Sequence, residues 1–310
     1  MQRPVGPAVY AAFVLDLLAQ AGVQVVGGSE TARADVVLSL DGRFRAGRGQ
    51  RIVTVVLDLG HLLARRGYGP GEWLRQNWRV ASAVRRSDHL LAPSDAVRHG
   101  LERYLRTPGR RITVLEASVR PCFRRQPKEA VDRLRFELAL PPRYFVFVGS
   151  RARRKNLGLL SEAWRLAAPR LGPDVGLVLA GPPGRGVPGA RDLGYVPLER
   201  LPALLSGAVA WVNPSFYEGS QVGVLEALAC GTPALAAGTG AQPRAVGSAG
   251  LVLGTHDAGG WAEAMVALVS DGDVRARLAA AALRAGAELR GSGPRWPALA
   301  PALTGAAAGT

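Results

Sequence analysis

The chain has 310 residues, 48% of them hydrophobic and 20% charged, so it can fill true cores and is not a disordered polymer. Its length is about twice that of a typical domain, which makes two domains the expectation. With only Cys122 and Cys230 a disulfide framework is excluded, and four scattered histidines without an H-E-x-x-H pair exclude a helical zinc-protease site.

The net charge of +15 rests on arginine, because Lys128 and Lys155 are the only lysines. These arginines are spread along the chain rather than gathered on one helix. That pattern reads as a GC-rich coding sequence, and no nucleic-acid partner is expected. A chain so basic will still attract phosphates and anionic membrane surfaces.

In chain order, Arg3 and the apolar run from Val5 to Val26 mimic a signal peptide, but Asp16 interrupts the run. Val9, Phe13, Leu17 and Leu18 recur at helical spacing, so Gly6 to Gly22 reads as an amphipathic surface helix. No other stretch reaches the roughly 18 uninterrupted apolar residues of a membrane span. A short strand follows over Asp35 to Leu40, then a buried strand over Arg51 to Leu59. Glu72 to Arg86 reads as a helix, His89 to Ala92 as a strand and Ser94 to Leu105 as a helix. Ser94 with Asp95 forms its N-cap, and Arg111 to Leu115 is a further strand.

From Pro121 to Arg143 four prolines surround a charged helix-like piece, read as the connection between domains. The alternation then restarts, with strands at Tyr144 to Val148, Val175 to Ala180, Ala208 to Val212, near Ala234 and at Leu251 to Leu253. Helices are expected at Asn156 to Ala168, Leu198 to Leu205, Val222 to Cys230, Ala258 to Val269 and Asp273 to Leu289. Val/Ile/Leu strands alternating with helices imply parallel strands joined by right-handed crossovers. The expected layout is an α/β domain over 1–126, a linker over 127–143, a second α/β domain over 144–291 and a mobile Pro/Ala/Gly-rich tail over 292–310.

The chemistry-bearing runs lie in the second domain. In FVFVGSRARRKN, Phe145 to Asn156, a buried strand ends at Gly149 and a basic loop follows, with Asn156 able to cap the next helix. Open α/β sheets bind ligands at the carboxyl ends of their strands, where helix N-termini favour anions, so Arg151, Arg153, Arg154 and Lys155 are expected to face a diphosphate. In PSFYEGSQVGVLEALACGTP, Pro214 to Pro233, Glu218 and Glu226 bracket a loop in which Gly219 and Gly223 let backbone amides approach an anion. Glu226, one turn into the helix, is an acceptor for vicinal hydroxyls, and Glu218 can serve a second sugar. Asp271-Gly272-Asp273 mimics a metal-binding DxD, but at a junction between two helices it reads as a cap and turn. Cys230 reads as a small buried thiol.

These runs resemble the retaining GT-B glycosyltransferases of family 4, the glycosyl transferases group 1. Glu218 to Glu226 is similar to that family's E-x7-E signature, and Gly149 to Asn156 to its G-x5-K-N donor-phosphate loop. The run GYVPLERLP from Gly194 resembles its nucleobase-contacting segment, which implies main-chain roles for Tyr195 and Val196. GTPAL from Gly231 and GSAGLVL from Gly247 continue the match in order, over about residues 143 to 290. In the first domain SDHLLAPSDAVRHGL from Ser87 and RITVLEASVRPCF from Arg111 resemble the family's "ADxIITVSEFSRxxL" and "IxVIPNGVDPxF" stretches. PVGPAVY, from Pro4, resembles the segment after the family's first strand. No strand precedes it here, so the start codon lies upstream or the first domain is a shortened one.

Three departures touch function. Leu57 stands where the family's "HDL" carries a histidine, and His61 lies a few residues on as a substitute. Ser220-Gln221-Val222-Gly223 replaces the family's Phe-Gly-Leu-Pro, so that Gln221 narrows the donor pocket or adds a hydrogen bond. Gln242-Pro243-Arg244 stands where Pro-Glu-Val is common.

The resemblance implies a GT-B fold of two Rossmann-like doubly wound sheets facing a cleft. It also implies a retaining transferase that moves a hexose, of the mannosyl or rhamnosyl type, from a GDP- or UDP-linked sugar to a saccharide or lipid-linked acceptor. Catalytic roles fall to Glu218, Lys155 and His61. Donor binding falls to Gly149, Arg151, Arg154, Lys155, Tyr195, Val196, Glu218, Gly219, Ser220, Gln221, Val222, Gly223 and Glu226. No metal and no cofactor beyond the donor substrate are implied. The expected location is cytoplasmic and peripheral at the inner face of the plasma membrane, in cell-envelope polysaccharide synthesis. The competing reading is a degenerate member that binds nucleotide or glycan without turnover.

Overall fold

A computed structural model describes residues 6–26, 34–291 and 296–304, and divides the chain into two compact units. Unit 1 comprises Met1–Ala117 with Gly293–Thr310, and unit 2 comprises Ser118–Ser292. Pro4, Val5 and the ends of the expected tail lie outside the described residues.

Unit 1 begins with α1 (Gly6–Gln20). This helix is amphipathic, as its spacing predicts. Tyr10, Val14, Leu17 and Leu18 are buried, while Asp16 and Gln20 bond to each other on the exposed side. The Tyr10 hydroxyl donates to the Leu115 carbonyl at 2.6 Å, a long-range tie that satisfies a buried phenol.

Strands β1 (Val36–Ser39) and β2 (Arg51–Val55) follow. The expected strand through Leu59 stops at Val55, because Asp58 accepts from the Gly60 amide and starts the one-turn helix α2 (Gly60–Leu63). Then come α3 (Pro70–Arg86), β3 (His89–Ala92), α4 (Asp95–Leu105) and β4 (Ile112–Val114). Ser94 caps α4 through the Val97 amide, as its position before an apolar run predicts. The described sheet is parallel with strand order β1-β2-β3-β4.

Unit 2 opens with α5 (Lys128–Glu137), where a linker was expected. Val131 and Leu134 are buried, and Phe123, Leu134 and Leu140 join this unit's core. The segment before residue 143 is therefore part of the second unit: its apolar residues share one helical face, which charges elsewhere in the helix obscure in sequence.

The sheet contains β5 (Arg143–Val148), β6 (Val175–Ala180), β7 (Arg191–Asp192), β8 (Ala210–Asn213), β9 (Ala234–Ala237) and β10 (Gly250–Leu253), in the order β10-β9-β8-β5-β6-β7. Every pairing is parallel. This is the doubly wound order 3-2-1-4-5-6 read from its other edge, with its reversal between β5 and β8.

Alternate residues of each strand feed opposite cores. Phe145, Phe147, Leu177 and Leu179 pack on one face with α6 (Leu157–Leu171) and α10 (Ala258–Ser270). Tyr144, Val146, Val178 and Trp211 pack on the other with α7 (Leu201–Ser206), α8 (Val222–Ala229) and α11 (Gly272–Gly291). Each such side chain contributes about 2–3 kcal/mol through burial. A short helix, α9 (Gln242–Val246), links β9 to β10.

The expected mobile tail contains α12 (Trp296–Thr304). It belongs to unit 1, where Leu299 and Ala302 are fully buried and Arg51 Nε donates to the Ala302 carbonyl at 2.9 Å. Its Ala/Pro composition reads as disorder, but its apolar residues find a partner only in the folded unit.

Candidate active site

The β5–β8 reversal makes a topological switch point in unit 2, where open α/β sheets bind ligands at the carboxyl ends of their strands. Both diagnostic runs leave from that point. The basic loop follows β5 and leads into α6, and the glutamate-bearing loop follows β8 and leads into α8. Two helix N-termini thus flank one place, which favours an anion there.

The loop after β5 is held by close backbone approaches. Gly181, at φ +140°, lies so near Gly149 that a Cβ would come within 2.0 Å of the Gly149 carbonyl oxygen. Asn156 occupies the N-cap position of α6 in the left-handed region, at φ +54°, but does not cap through its side chain. Its amide instead donates to the carbonyls of Pro214 at 3.1 Å and Thr255 at 3.0 Å. A residue expected to cap one helix ties three loops together.

Glu218 is the centre of the cluster. Lys155 Nζ donates to Glu218 Oε1 at 2.5 Å, and Arg154 Nη1 lies 3.4 Å from Oε2. The Glu218 and Lys155 side chains are each only 13% exposed. Ser215 Oγ lies 2.6 Å from both Glu218 Oε1 and the Asn213 side-chain amide. The Asn213 atom is Oδ1, so the one Ser215 hydroxyl proton has two acceptors, that oxygen and the carboxylate.

Burial raises the Glu218 pKa, but Lys155, Arg154 and the hydrogen bonds from Lys155 and Ser215 outweigh it and hold the carboxyl down at about 2. Its backbone is pinned as well. The Ala241 amide donates to the Glu218 carbonyl at 2.8 Å, and Gly240, at φ +59°, leaves no room there for a Cβ.

The cations do not all behave alike. Arg151 is withdrawn from solvent, its side chain 2% exposed, and it donates to Asp192 at 2.7 Å beside the Phe147 ring. Its remaining Nε and Nη1 bond to none of the described residues. The expected diphosphate-facing role is thus not the arrangement seen for Arg151, because its apolar stem finds cover beneath the Gly184 turn. Arg153 is exposed.

In the second loop Gln221 is buried at the N-cap of α8, and the Ser220 hydroxyl is buried without a partner among the described residues. Gly219 is buried and Val222 half-buried. Gly223 differs from the expectation: a Cβ there would meet the Trp211 ring at 2.9 Å, so this glycine makes room for core packing. Gly194, at φ +60°, accepts from the Gly181 amide, which brings the segment of Tyr195 and the buried Val196 beside the β6 end.

Glu226 is buried on α8, and burial raises its pKa against the pull of Arg120. Arg120 Nη2 and Nε donate to Glu226 Oε1 at 2.6 and 3.1 Å. Sequence reasoning missed Arg120, Ser215 and Asn213. The last two stand within or beside the run that drew attention, whereas nothing in the sequence links Arg120 to a residue 106 positions on.

His61 lies in unit 1, on α2. It is buried, its Nε2 has no partner among the described residues, and Tyr68 meets its ring edge-on. Burial and the Arg79 charge lower its pKa to about 4, so the imidazole is neutral at pH 7.

Asp271 accepts from the amides of Asp273 and Val274, the cap role expected at this junction. Cys230 is buried, which pushes its thiol up to about 12. Among the described residues no group of three His, Cys, Asp or Glu could hold a metal ion, and no helix is long and apolar enough to cross a membrane.

Residues 142–271 match the family model described as Glycosyl transferases group 1. The chain is 33% identical over 183 residues to O-antigen chain mannosyltransferase B of Escherichia coli, a match covering 54% of this chain and 48% of that protein. It is 32% identical over 221 residues to the D-inositol 3-phosphate glycosyltransferase of Thermobispora bispora, covering 64% of this chain and 51% of that one. The chain spans about half the length, or less, of the curated relatives it matches.

Among solved structures, WaaG, a glycosyltransferase involved in lipopolysaccharide biosynthesis, aligns over 99% of this chain and 86% of its own at 17% identity and TM-score 0.72. Anabaena HepE in complex with UDP-glucose aligns over 93% of both chains at 15% identity and TM-score 0.71. These likenesses show the fold, the α/β GT-B architecture with a Rossmann-like sheet in each unit.

Proposed function

We propose that the chain is a retaining glycosyltransferase that moves a hexose, of the mannosyl type, from a nucleotide-diphosphate sugar to a saccharide or lipid-linked acceptor. The observation that carries this reading is the Lys155–Glu218–Ser215 cluster at the switch point of unit 2, between two helix N-termini. Glycosyl transfer breaks the bond between the anomeric carbon and the diphosphate and forms one to an acceptor oxygen. The departing diphosphate gains negative charge, so cations and oriented amides must meet it.

Lys155, Arg154 and the amides from Gly219 to Val222 take that task, with Arg151 beneath the loop. Glu218, kept ionised, accepts from donor-sugar hydroxyls, and Glu226 accepts from the ribose. The acceptor's proton passes to the departing phosphate oxygen. Tyr195 and Val196 meet the base through main-chain groups, and Gly149 admits the diphosphate. No metal is required. The relative named as a mannosyltransferase supports the sugar, and the UDP-glucose complex of a structural neighbour supports a nucleotide-sugar donor.

Peripheral contact with the inner membrane face belongs to the same reading. Leu74 and Trp78, 63% and 69% exposed, stand one turn apart on α3 beside exposed Arg75, with Arg85 and Arg86 further along. Apolar anchors among arginines suit an anionic bilayer.

Calorimetric titration with GDP, UDP, ADP and their sugar conjugates tests the proposal. Selective micromolar binding of one nucleotide, weakened severalfold by Glu226→Ala, is expected, and no binding by the folded chain refutes the donor site. A second reading, binding without turnover, is favoured by Leu57, half-buried beyond β2 where the resembled family carries histidine. Release of free nucleotide from the bound sugar conjugate, measured with and without acceptor extract, separates the two.

A further inference from the structure

Glu226 presents a problem that the donor reading leaves open. A carboxylate buried on a helix of apolar residues tends to take up a proton, and a protonated acid is a poor acceptor for two hydroxyls. Arg120 answers it. Both of its bonds converge on Oε1, while Oε2 takes none from the described residues. The guanidinium is itself fixed over the ring of fully buried Phe123, 4.8 Å from the centroid, and the Phe123 amide donates to the Arg120 carbonyl. Arg120 stands where the resembled "VDPxF" stretch carries aspartate, so this pair is a feature of the chain in hand.

We infer that Arg120 is a positioning residue for nucleotide recognition: it keeps Glu226 ionised and turned with one oxygen toward the ribose diol. The inference rests on the ribose role proposed for Glu226. Arg120 is the charged side chain that acts on this carboxylate. The nearby titratable group, Cys230, is neutral below about pH 12, and Arg125 beyond it bonds to the Cys230 carbonyl.

Without Arg120, burial acts on Glu226 unopposed and the carboxyl protonates as the pH falls. Nucleotide affinity then falls more steeply toward low pH in the variant than in the parent chain.

The test measures GDP and UDP binding by calorimetry at pH 6 and pH 8.5 for the parent chain, Arg120→Leu, Arg120→Lys, Glu226→Gln and the double variant Arg120→Leu/Glu226→Gln. Pyrophosphate serves as the ribose-free control, and melting curves check the fold. Arg120→Leu should lose severalfold more affinity at pH 6 than at pH 8.5, because burial then acts on Glu226 without an opposing charge. Relative to the parent chain, pyrophosphate binding should not change, Arg120→Lys should restore most of the low-pH affinity, and the extra pH dependence should vanish in the double variant. Equal losses at both pH values, or a matching loss for pyrophosphate, would mark a structural brace and overturn the inference. If Glu226→Gln weakens nucleotide binding while both Arg120 variants bind as the parent does, the inference alone fails. If Glu226→Gln leaves binding unchanged, the ribose assignment fails and takes the inference with it.

Discussion

The Lys155–Glu218 pair can be measured directly. At 2.5 Å and an effective dielectric of about 20, two unit charges attract by roughly 6–7 kcal/mol, from which the desolvation of both groups must be subtracted. The net is gauged by Glu218 itself. Its displacement from the ordinary 4.5 to about 2, achieved against burial, corresponds to about 3 kcal/mol in favour of the carboxylate. Arg154 and Ser215 share that stabilisation, which leaves about 2 kcal/mol for Lys155. Urea unfolding at pH 7 of Lys155→Met, Glu218→Gln and the double variant should therefore give a coupling energy of about 2 kcal/mol.

Each single variant should lose stability, because it strands a partner that is largely buried. The coupling should persist above pH 4.5 and disappear as the pH falls through about 2. A group whose folded pKa is depressed contributes stability above its unfolded value and loses it on protonation. A coupling under about 0.5 kcal/mol, the range of exposed pairs, would refute the picture of a buried, pre-charged cluster.

Other outcomes follow from the same geometry. Gly181→Ala should cost about 2 kcal/mol or more in chemical denaturation and weaken nucleotide binding, since its Cβ would press on the Gly149 carbonyl at a backbone angle that favours glycine. His61, displaced from 6.5 to about 4, is neutral when folded and takes up a proton on unfolding, so it costs the fold stability as the pH falls from 6.5 through 4. His61→Leu should flatten that slope by up to about 3 kcal/mol, read from urea midpoints at pH 7 and pH 4.5. EDTA should leave sugar transfer intact, and a strict requirement for added Mg2+ or Mn2+ would contradict the mechanism.

Much of the order of elements was legible in the chain. Hydrophobic runs of strand length between amphipathic stretches imply parallel strands and crossover helices, and β3 and β6 fall at the expected residues. The glutamate-bearing and basic loops were legible too, because glycines, cations and acids at strand ends are local features. The misread segments share one cause. Residues 127–143 look like a linker because charges and flanking prolines mask a few apolar residues, and 292–310 like a tail because prolines and small residues dominate it, yet Val131, Leu134, Leu299 and Ala302 are buried once a partner face exists.

What local sequence determined is therefore the inventory of elements and of charged loops, each encoded within a window of a few residues by periodicity and turn chemistry. What only the tertiary structure decided is which of them meet. The strand order β10-β9-β8-β5-β6-β7 brings the loops after β5 and β8 together, so that Lys155 reaches Glu218 across 63 positions of chain. Asn156 turned from a helix cap into a tie between loops, Gly223 from an anion contact into room for Trp211, and Arg120 acquired Glu226. These pairings depend on long-range packing, which the hydrophobic effect drives without regard to sequence distance, and no local pattern can encode them.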